Sequence, residues 1–385
     1  MAHSKKYILF GARVSEAQRK ALLALPDMQE LPADFGPFGS GAVHCELFPY
    51  ALSERQGLSD EALAMRRAEV LADLRGAHVV VVESTGEQPN MDASLERVRS
   101  AVDTLHDNGV GTVGVVMANC AYERQDRDFK KTGQVVSVNS KRFAKELKAL
   151  GADYVVVCTP HSDDVIKLWR EQFGKNYYSL QMHKVFADDI RQRFAGSLQV
   201  MVGAPDGADK PNDQGQKRAR QLCAALHEVE SEFADAFMFK IAKHHTAESE
   251  SELTFFEGNV KARDCVVVDD MIDGGSTMIN AARELKKQGA RSVTVYATHG
   301  ICTPKDGVPA LERLLAEGNG IDRIVLCDSI PEIHAKREAL TPDLQERVSV
   351  LSVGPLLAEA VTQQCERARV NSYAAAMNGG AVRQK

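Results

Sequence analysis

The segment VVVDDMIDGGSTM, residues 266–278, begins as an apolar run and continues with acidic and hydroxyl side chains. Two adjacent acids end the run, and a third acid precedes two glycines and two hydroxyl residues. Glycines can take positive φ angles that turn backbone N–H groups inward, and hydroxyls at a helix start receive an anion. The pattern predicts a phosphate-binding turn formed by Asp273, Gly274, Gly275, Ser276 and Thr277.

The two leading acids, Asp269 and Asp270, would repel a phosphate and need a different partner. Carboxylates accept hydrogen bonds from ribose hydroxyls in dinucleotide-binding folds, and they approach phosphates when Mg²⁺ lies between them. We therefore expect the two acids to hold a sugar diol while the turn holds the 5-phosphate of that sugar. An ordinary strand–turn–helix junction with a capping aspartate would explain a lone DGG, but not the whole run. The predicted ligand is a ribose 5-phosphate unit.

Short β-branched runs alternate with helical segments along the chain. This alternation predicts parallel sheets with helices on both faces, and these elements must position the acids. A strand ending at Asp269 places the acids at the carboxyl edge of a sheet, where ligands bind in such folds. The predicted strands are 7–11, 78–85, 111–118, 153–160, 198–206, 235–242, 265–273, 291–300 and 323–331. The predicted helices include 92–109, 139–151, 217–229 and 276–289.

The strand–helix rhythm runs through two successive series, which predicts two α/β domains of similar design joined near residues 162–197. The segment 44–76 reads as a connection enlarged by an amphipathic helix, and the tail after about Arg369 has little to bury. We expect that tail to be mobile.

Composition excludes several classes of protein. A chain of 385 residues with 44% hydrophobic and 26% charged residues is typical of globular domains, and its net charge of −6 argues against a nucleic-acid binder. No apolar run approaches the ~18 residues that a membrane span requires. Eight scattered cysteines without a CxxC pair favour reduced thiols over a disulfide framework or a zinc site. We expect a cytoplasmic protein without nucleic-acid or membrane partners.

The 266–278 run resembles the ribose-phosphate loop of type I phosphoribosyltransferases, and most closely the form D-D-M-I-D-T-G-G-T of ribose-phosphate pyrophosphokinases (phosphoribosyl-diphosphate synthetases). Four further segments resemble that family in the same order. They are AYERQDRDFKK (121–131), VMVGAPDGADK (200–210), CDSIP (327–331) and LSVGPLLAEA (351–360). A plain phosphoribosyltransferase would leave the first and last of these unexplained. The chain is therefore identified as a divergent member of the pyrophosphokinase family.

The resemblance implies two phosphoribosyltransferase-like α/β domains, each a mainly parallel sheet flanked by helices. The expected domains are 1–165, completed by a C-terminal helix at 351–369, and 166–345, followed by the mobile tail 370–385. The implied reaction transfers the β,γ-pyrophosphoryl group of ATP to the anomeric hydroxyl of ribose 5-phosphate, with Mg²⁺ as cofactor. It gives phosphoribosyl diphosphate and AMP, and belongs to nucleotide biosynthesis.

The same resemblance implies the roles of single residues. Arg124 and Gln125 would bind ATP, and His161 would touch both ATP and the metal. Asp206 would approach the metal and the ribose, and Lys243 would be the catalytic lysine of a loop. Family members form dimers and hexamers, so a homo-oligomer is expected.

Departures from the family pattern lie in the site itself. Gly274 stands where the family has threonine, Thr159 replaces an acid near His161, and His245 replaces a catalytic arginine two residues after the lysine. The family's early F-S-D-G-E segment has no clear copy at 35–47. Three functions stay open: a divergent synthetase, an enzyme that pyrophosphorylates a larger ribose 5-phosphate ester such as ADP-ribose, and a non-catalytic regulatory subunit. Retention of Lys243 and the acids argues against the third.

Overall fold

The computed structural model of the chain describes residues 5–35, 45–47, 58–86, 91–125, 137–195, 200–207, 213–228, 237–244 and 252–377. In chain order, the elements of the first half are β1 (Lys6–Phe10), α1 (Glu16–Leu23), β2 (Met28–Glu30), β3 (Ala33–Asp34), β4 (Glu46–Leu47), α2 (Asp60–Leu74), β5 (His78–Val82), α3 (Met91–Asp107), β6 (Thr112–Met117), α4 (Asn139–Ala149), β7 (Tyr154–Cys158), α5 (Asp163–Phe173) and β8 (Tyr177–Leu180).

The second half continues the alternation of strands and helices. Its elements are α6 (His183–Arg193), β9 (Val200–Gly203), α7 (Gln214–His227), β10 (Lys240–His244), β11 (Glu252–Glu257), β12 (Asp264–Ile272), α8 (Ser276–Lys287), β13 (Ser292–Gly300), α9 (Ala310–Leu315), β14 (Arg323–Cys327), α10 (Ile333–Glu338), α11 (Pro342–Glu346), β15 (Val348–Leu351) and α12 (Gly354–Met377).

The chain divides into two compact units. The first unit comprises Met1–Val157, Asp164–Leu180 and Ser352–Lys385, and the second comprises Cys158–Asp163 and Gln181–Leu351. The first unit contains a sheet of order β2-β1-β5-β6-β7-β8, and the second contains a sheet of order β15-β14-β13-β12-β9. Strand pairs of the second sheet are all parallel, as are β2–β1, β1–β5, β5–β6 and β6–β7 of the first.

Buried β-branched residues explain why these runs form central strands. In β5 the sequence HVVVV is buried at every position, as expected for a parallel strand covered on both faces. The core of the first unit packs α3 and α4 side chains such as Val98 and Phe143 against such strands. The core of the second unit contains Val267 and Val295 from the sheet with Ala282 and Leu285 from α8.

Several predicted boundaries differ from those observed. The region 162–197 is not a plain join, because α5, β8 and α6 occupy most of it, and β8 belongs to the first sheet. The first unit therefore reaches Leu180 rather than residue 165. The C-terminal helix α12 continues to Met377 instead of ending at 369, because the run NSYAAAM is rich in strong helix formers. The rest of the predicted tail lies outside the described residues.

The predicted strand 235–242 was wrong in its pairing. Its residues were expected to join the parallel series, but β10 begins at Lys240 and pairs antiparallel with β11 in a separate two-stranded sheet. A single parallel bridge, Val202 to Met238, is the link to β9. The helix predicted within 44–76 is observed as α2. Among the residues that the structure describes, no helix is both long and apolar enough to cross a membrane.

A buried ion pair lies at the carboxyl edge of the first sheet, beyond the ends of β1 and β5. Arg97 donates from Nη2 to Oε1 of Glu83 at 2.8 Å, and Glu83 is only 1% exposed. The backbone N–H of Arg13 donates to the other carboxylate oxygen, and the Arg13 guanidinium donates to the carbonyl oxygen of Gly86 at 2.9 Å. A Cβ at Gly11 would lie 1.5 Å from Glu83 Oε2, so only glycine fits there. We call this group the Glu83 cluster.

Candidate active site

The acid pair, Asp269 and Asp270, lies at the carboxyl edge of the second sheet, as predicted. Both belong to β12, which runs parallel to β13 and β9. The side chain of Asp270 is 2% exposed and that of Asp269 is 23% exposed. Burying two adjacent carboxylates is costly unless they are paired, so partners are expected around them.

Arg218 of α7 is the shared partner of the acid pair. Its Nη2 donates to Oδ1 of Asp269 at 2.8 Å and to Oδ1 of Asp270 at 2.7 Å, and its Nη1 donates to the carbonyl oxygen of His161 at 3.3 Å. Sequence reasoning missed this residue, because KRARQL was read only as part of a helix. The available signal was spacing: Arg218 precedes buried Leu222 by four residues and therefore falls on the buried stripe of α7.

His161 lies against the other side of Asp270. Its Nδ1–H donates to Oδ2 of Asp270 at 2.7 Å, which orients the ring. Thr159, two residues earlier, has a φ of +40°, a strained angle for a β-branched residue. The strained backbone is held by a 3.0 Å hydrogen bond from Thr298 Oγ1 to the Thr159 hydroxyl, and by His299 Nε2 at 3.3 Å from the Thr159 carbonyl oxygen.

The electrostatics of the acid pair are asymmetric. Burial raises the pKa of Asp269 above its ordinary value, to about 7, and the neighbouring charge of Asp270 adds to this, against the opposing effect of Arg218. Burial alone would also raise the pKa of Asp270, but the hydrogen bond from His161 and the charge of Arg218 outweigh it, so that pKa is held below its ordinary value. Asp269 is therefore the more readily protonated member of the pair.

The predicted phosphate turn, residues 273–277, directly follows β12. Gly275 has a φ of +79° and is the N-cap of α8, which begins at Ser276. Because glycine offers no capping side chain, the first-turn N–H groups of α8 have no side-chain cap from this position, an arrangement that suits an anion. Gly274 and Ser276 are exposed, so the turn is open to a ligand from solvent.

Other predicted site residues fall in several places. Asp206 follows β9 at the same sheet edge as the acid pair, and its backbone carbonyl accepts from Gln216 Nε2 at 3.2 Å. Lys243 lies in β10, whereas His245 lies outside the described residues. Arg124 and Gln125 are exposed in the first unit after β6, where Asn139 Nδ2 donates to Gln125 Oε1.

Two protein-family models match the chain. The N-terminal domain of ribose phosphate pyrophosphokinase matches residues 49–151, and the phosphoribosyl synthetase-associated domain matches residues 184–371. The ribose-phosphate pyrophosphokinase of Hyphomonas neptunium is 28% identical over 315 residues, covering 80% of this chain and 87% of that protein. That of Haemophilus ducreyi is 28% identical over 300 residues, covering 77% and 83%.

A solved structure is also similar. The crystal structure of phosphoribosylpyrophosphate synthetase from Mycobacterium smegmatis superposes with a TM-score of 0.70 and 21% sequence identity, covering 94% of this chain and 100% of that chain. This likeness and the two sheets confirm the predicted fold class, a pair of α/β units with mainly parallel sheets flanked by helices.

Proposed function

Because the chain belongs to the ribose-phosphate pyrophosphokinase family, we propose that it transfers the pyrophosphoryl group of ATP to ribose 5-phosphate, giving phosphoribosyl diphosphate and AMP. The observation that carries this proposal is the arrangement at the end of β12. An acid pair clamped by Arg218 stands immediately before a glycine turn that opens α8. Acids for a sugar diol and backbone N–H groups for its 5-phosphate are therefore adjacent on one segment.

In the proposed reaction, the anomeric hydroxyl oxygen of the sugar attacks the β-phosphorus of ATP. A bond forms between that oxygen and the β-phosphorus, the bond from the bridging oxygen to the β-phosphorus breaks, AMP leaves, and the hydroxyl proton is released. Asp269 and Asp270 orient the sugar through its ring hydroxyls, and Arg218 fixes both carboxylates in place. Lys243 supplies positive charge to the phosphoryl oxygens, with His245 as a second, weaker cation.

Magnesium fits the donors that the second unit offers. Among the residues that the structure describes, no group of three or more His, Cys, Asp or Glu side chains could hold a metal ion alone. Mg²⁺ typically keeps several waters and takes one or two protein ligands with substrate phosphates. His161 and Asp206 would hold it, and the bound metal would neutralise charge on the phosphates. His161 suits this role because its Nδ1 is already oriented by Asp270.

Arg124 and Gln125 are proposed ATP ligands in the first unit. Both are exposed, and a guanidinium can contact phosphate in a bidentate manner or stack on adenine. We further infer a cytoplasmic homo-oligomer of dimeric or hexameric size, which sedimentation velocity of the purified protein would test.

A larger ribose 5-phosphate ester, such as ADP-ribose, is a second candidate acceptor. A Cβ at Gly274 would meet nothing within 4 Å, so the threonine of the family pattern would fit sterically where this chain has glycine. The missing side chain leaves open space beside the turn, through which an ester chain could leave the 5-phosphate. This space is the specific observation in favour of the second acceptor.

Product analysis by phosphorus NMR and mass spectrometry tests both acceptors. Purified protein with ATP and magnesium would be offered ribose 5-phosphate and ADP-ribose in parallel, with Asp270→Asn protein as the matched control. We expect AMP and phosphoribosyl diphosphate from ribose 5-phosphate. A pyrophosphorylated product from ADP-ribose alone would identify the ester as the acceptor. If neither compound yields AMP, both proposed acceptors are wrong.

A further inference from the structure

Arg313 of α9 contacts the phosphate turn from the side. Its Nη2 donates to the carbonyl oxygen of Gly274 at 2.7 Å, and its Nη1 donates to the carbonyl oxygen of Val308 at 3.3 Å. The guanidinium is permanently charged and has planar, fixed donors. Arg313 was not among the site residues predicted from the sequence, since it lies 39 positions after the glycine that it holds.

The Gly274 contact determines where the next N–H points. In a planar trans peptide, the carbonyl of one residue and the N–H of the next lie on opposite sides of the bond. Holding the Gly274 oxygen on Arg313 therefore directs the Gly275 N–H away from α9. Gly275 is the N-cap of α8 with a φ of +79°, so this N–H belongs to the start of the anion-binding helix.

Side-chain packing keeps α9 in register with the turn. A Cβ at Gly275 would lie 2.6 Å from Cδ2 of Leu314, which shows how closely the residue after Arg313 approaches the turn. A side chain at Gly275 would therefore press against α9. Leu314 can approach Gly275 this closely because glycine has no side chain.

A second set of hydrogen bonds ties α9 back to α8. Asn319, 7% exposed, donates from Nδ2 to the carbonyl oxygen of Arg313 at 2.6 Å. Arg283, on the body of α8, donates from Nη2 to Oδ1 of Asn319 at 2.7 Å. The turn before α8 and the body of α8 are thus joined through Arg313 and Asn319.

We infer that Arg313 is a positioning residue for the sugar 5-phosphate, acting through the Gly274–Gly275 peptide. The inference rests on the proposed function for the identity of the ligand, but not for the geometry. Arg313 holds the peptide in the orientation that offers the Gly275 N–H to the phosphate, and its charge favours an anion at the turn. It determines affinity for the acceptor and leaves the pyrophosphoryl chemistry to other residues.

Steady-state kinetics of Arg313→Met and Arg313→Lys test this role. Loss of one charge-assisted contact is expected to raise KM for ribose 5-phosphate about ten- to a hundredfold in Arg313→Met. We expect kcat at saturating sugar and KM for ATP to change by about threefold or less. Arg313→Lys keeps the charge and one donor, so it should recover part of the affinity. A merely structural role would lower thermal stability and kcat without this split.

Arg323→Met is the matched control, because Arg323 also donates to a backbone carbonyl, that of Glu346, at 2.6 Å in the same unit. It should leave KM for ribose 5-phosphate unchanged. Equal values of KM in Arg313→Met, Arg323→Met and the unchanged protein would overturn the inference. An equal rise of KM for ribose 5-phosphate in Arg313→Met and Arg313→Lys would also overturn it.

Calorimetric titration separates this inference from the proposed reaction. Ribose 5-phosphate would be titrated into each protein with magnesium and α,β-methylene ATP, whose bridging carbon prevents transfer. Weaker binding to Arg313→Met supports the positioning role even if no phosphoribosyl diphosphate forms with ATP. Equal binding in all variants, with normal turnover of ribose 5-phosphate, would refute the positioning role and leave the proposed function intact.

Discussion

Each of the two units places carboxylate and arginine side chains at the carboxyl edge of a parallel sheet, but the balance of charge differs. In the Glu83 cluster, one carboxylate meets one guanidinium and a backbone N–H, and the group is almost fully buried. In the second unit, two carboxylates share Nη2 of Arg218, and Asp269 stays partly exposed. The first arrangement satisfies itself, whereas the second retains negative charge and accepting oxygens for a ligand.

This difference separates an ion pair that supports the fold from one that we propose to serve a ligand site. The Glu83 carboxylate already accepts hydrogen bonds from protein donors, so it is not suited to binding a ligand. Burial and the neighbouring Asp270 charge raise the pKa of Asp269, so the ionised form of this carboxyl is disfavoured in the second arrangement. Removal of the Glu83 charge should therefore lower stability, whereas removal of the Asp269 charge should raise it.

The largest effect is expected from Glu83→Gln in the first unit. It leaves the Arg97 charge buried without its counter-ion, so the free energy of unfolding should fall by about 3–5 kcal/mol in urea denaturation. The double variant Glu83→Met with Arg97→Met should lose less than the single variant, because the Arg97 charge is removed together with its counter-ion. If Glu83→Gln is as stable as the unchanged protein, the Glu83 ion pair does not support the fold, and the difference drawn between the two units is wrong.

Asp270→Asn in the second unit should mainly affect turnover. The change removes a charged partner of the sugar and of His161, so kcat/KM for ribose 5-phosphate should fall about 10²–10³-fold. Circular dichroism should show an unchanged fold. Activity within tenfold of the unchanged protein would remove Asp270 from the site.

Asp269→Asn is expected to raise stability while lowering activity. Between pH 3.8 and about 7 the folded protein keeps a proton on Asp269 that the unfolded chain has released, so the carboxyl's contribution to stability is lost as pH rises through this range. Asparagine does not titrate, and its amide oxygen can still accept from Arg218. The variant should match the unchanged protein near pH 4 and exceed it by roughly 1–2 kcal/mol at pH 8. Thermal denaturation at both pH values measures this, and an advantage confined to low pH would contradict the raised pKa.

The smallest effect concerns the open side of the phosphate turn. Gly274→Thr should change the free energy of unfolding by about 0.5 kcal/mol or less, because the added atoms meet open space. If an ester is the natural acceptor, the variant should lose activity with ADP-ribose more than with ribose 5-phosphate. The ratio of kcat/KM for the two acceptors is the measurement, and Ser276→Thr at the neighbouring exposed position is the control.

The sequence predicted the acid pair and the turn because both are local: an apolar run, acids, glycines and a helix start occupy thirteen consecutive residues. Arg218 and Arg313 were missed because their partners are 51 and 39 positions away and depend on how helices pack against the sheet. The strained backbone of Thr159 could not be foreseen either, since threonine disfavours positive φ.

Fold prediction succeeded where strands were long and apolar and failed where they were short or polar. The Val-rich runs of β5 and β12 were placed within a few residues, but β8, with sequence YYSL, has no comparable hydrophobic signal. The antiparallel β10–β11 pair was taken for part of the parallel series, because an apolar run alone does not specify the direction of its neighbour.

The return of α12 to the first unit has a consequence for synthesis on the ribosome. A Cβ at Gly354, at the start of α12, would lie 2.9 Å from the carbonyl oxygen of Ala17 in α1, and the first unit includes residues from Ser352 onward. The last segment of the second unit, Gln181–Leu351, therefore leaves the ribosome before the first unit has all its parts. Domains usually complete folding in order from the N-terminus. Here the first unit cannot complete its folding until α12 has been synthesised. The surface of α1 that contacts α12 therefore stays uncovered during translation.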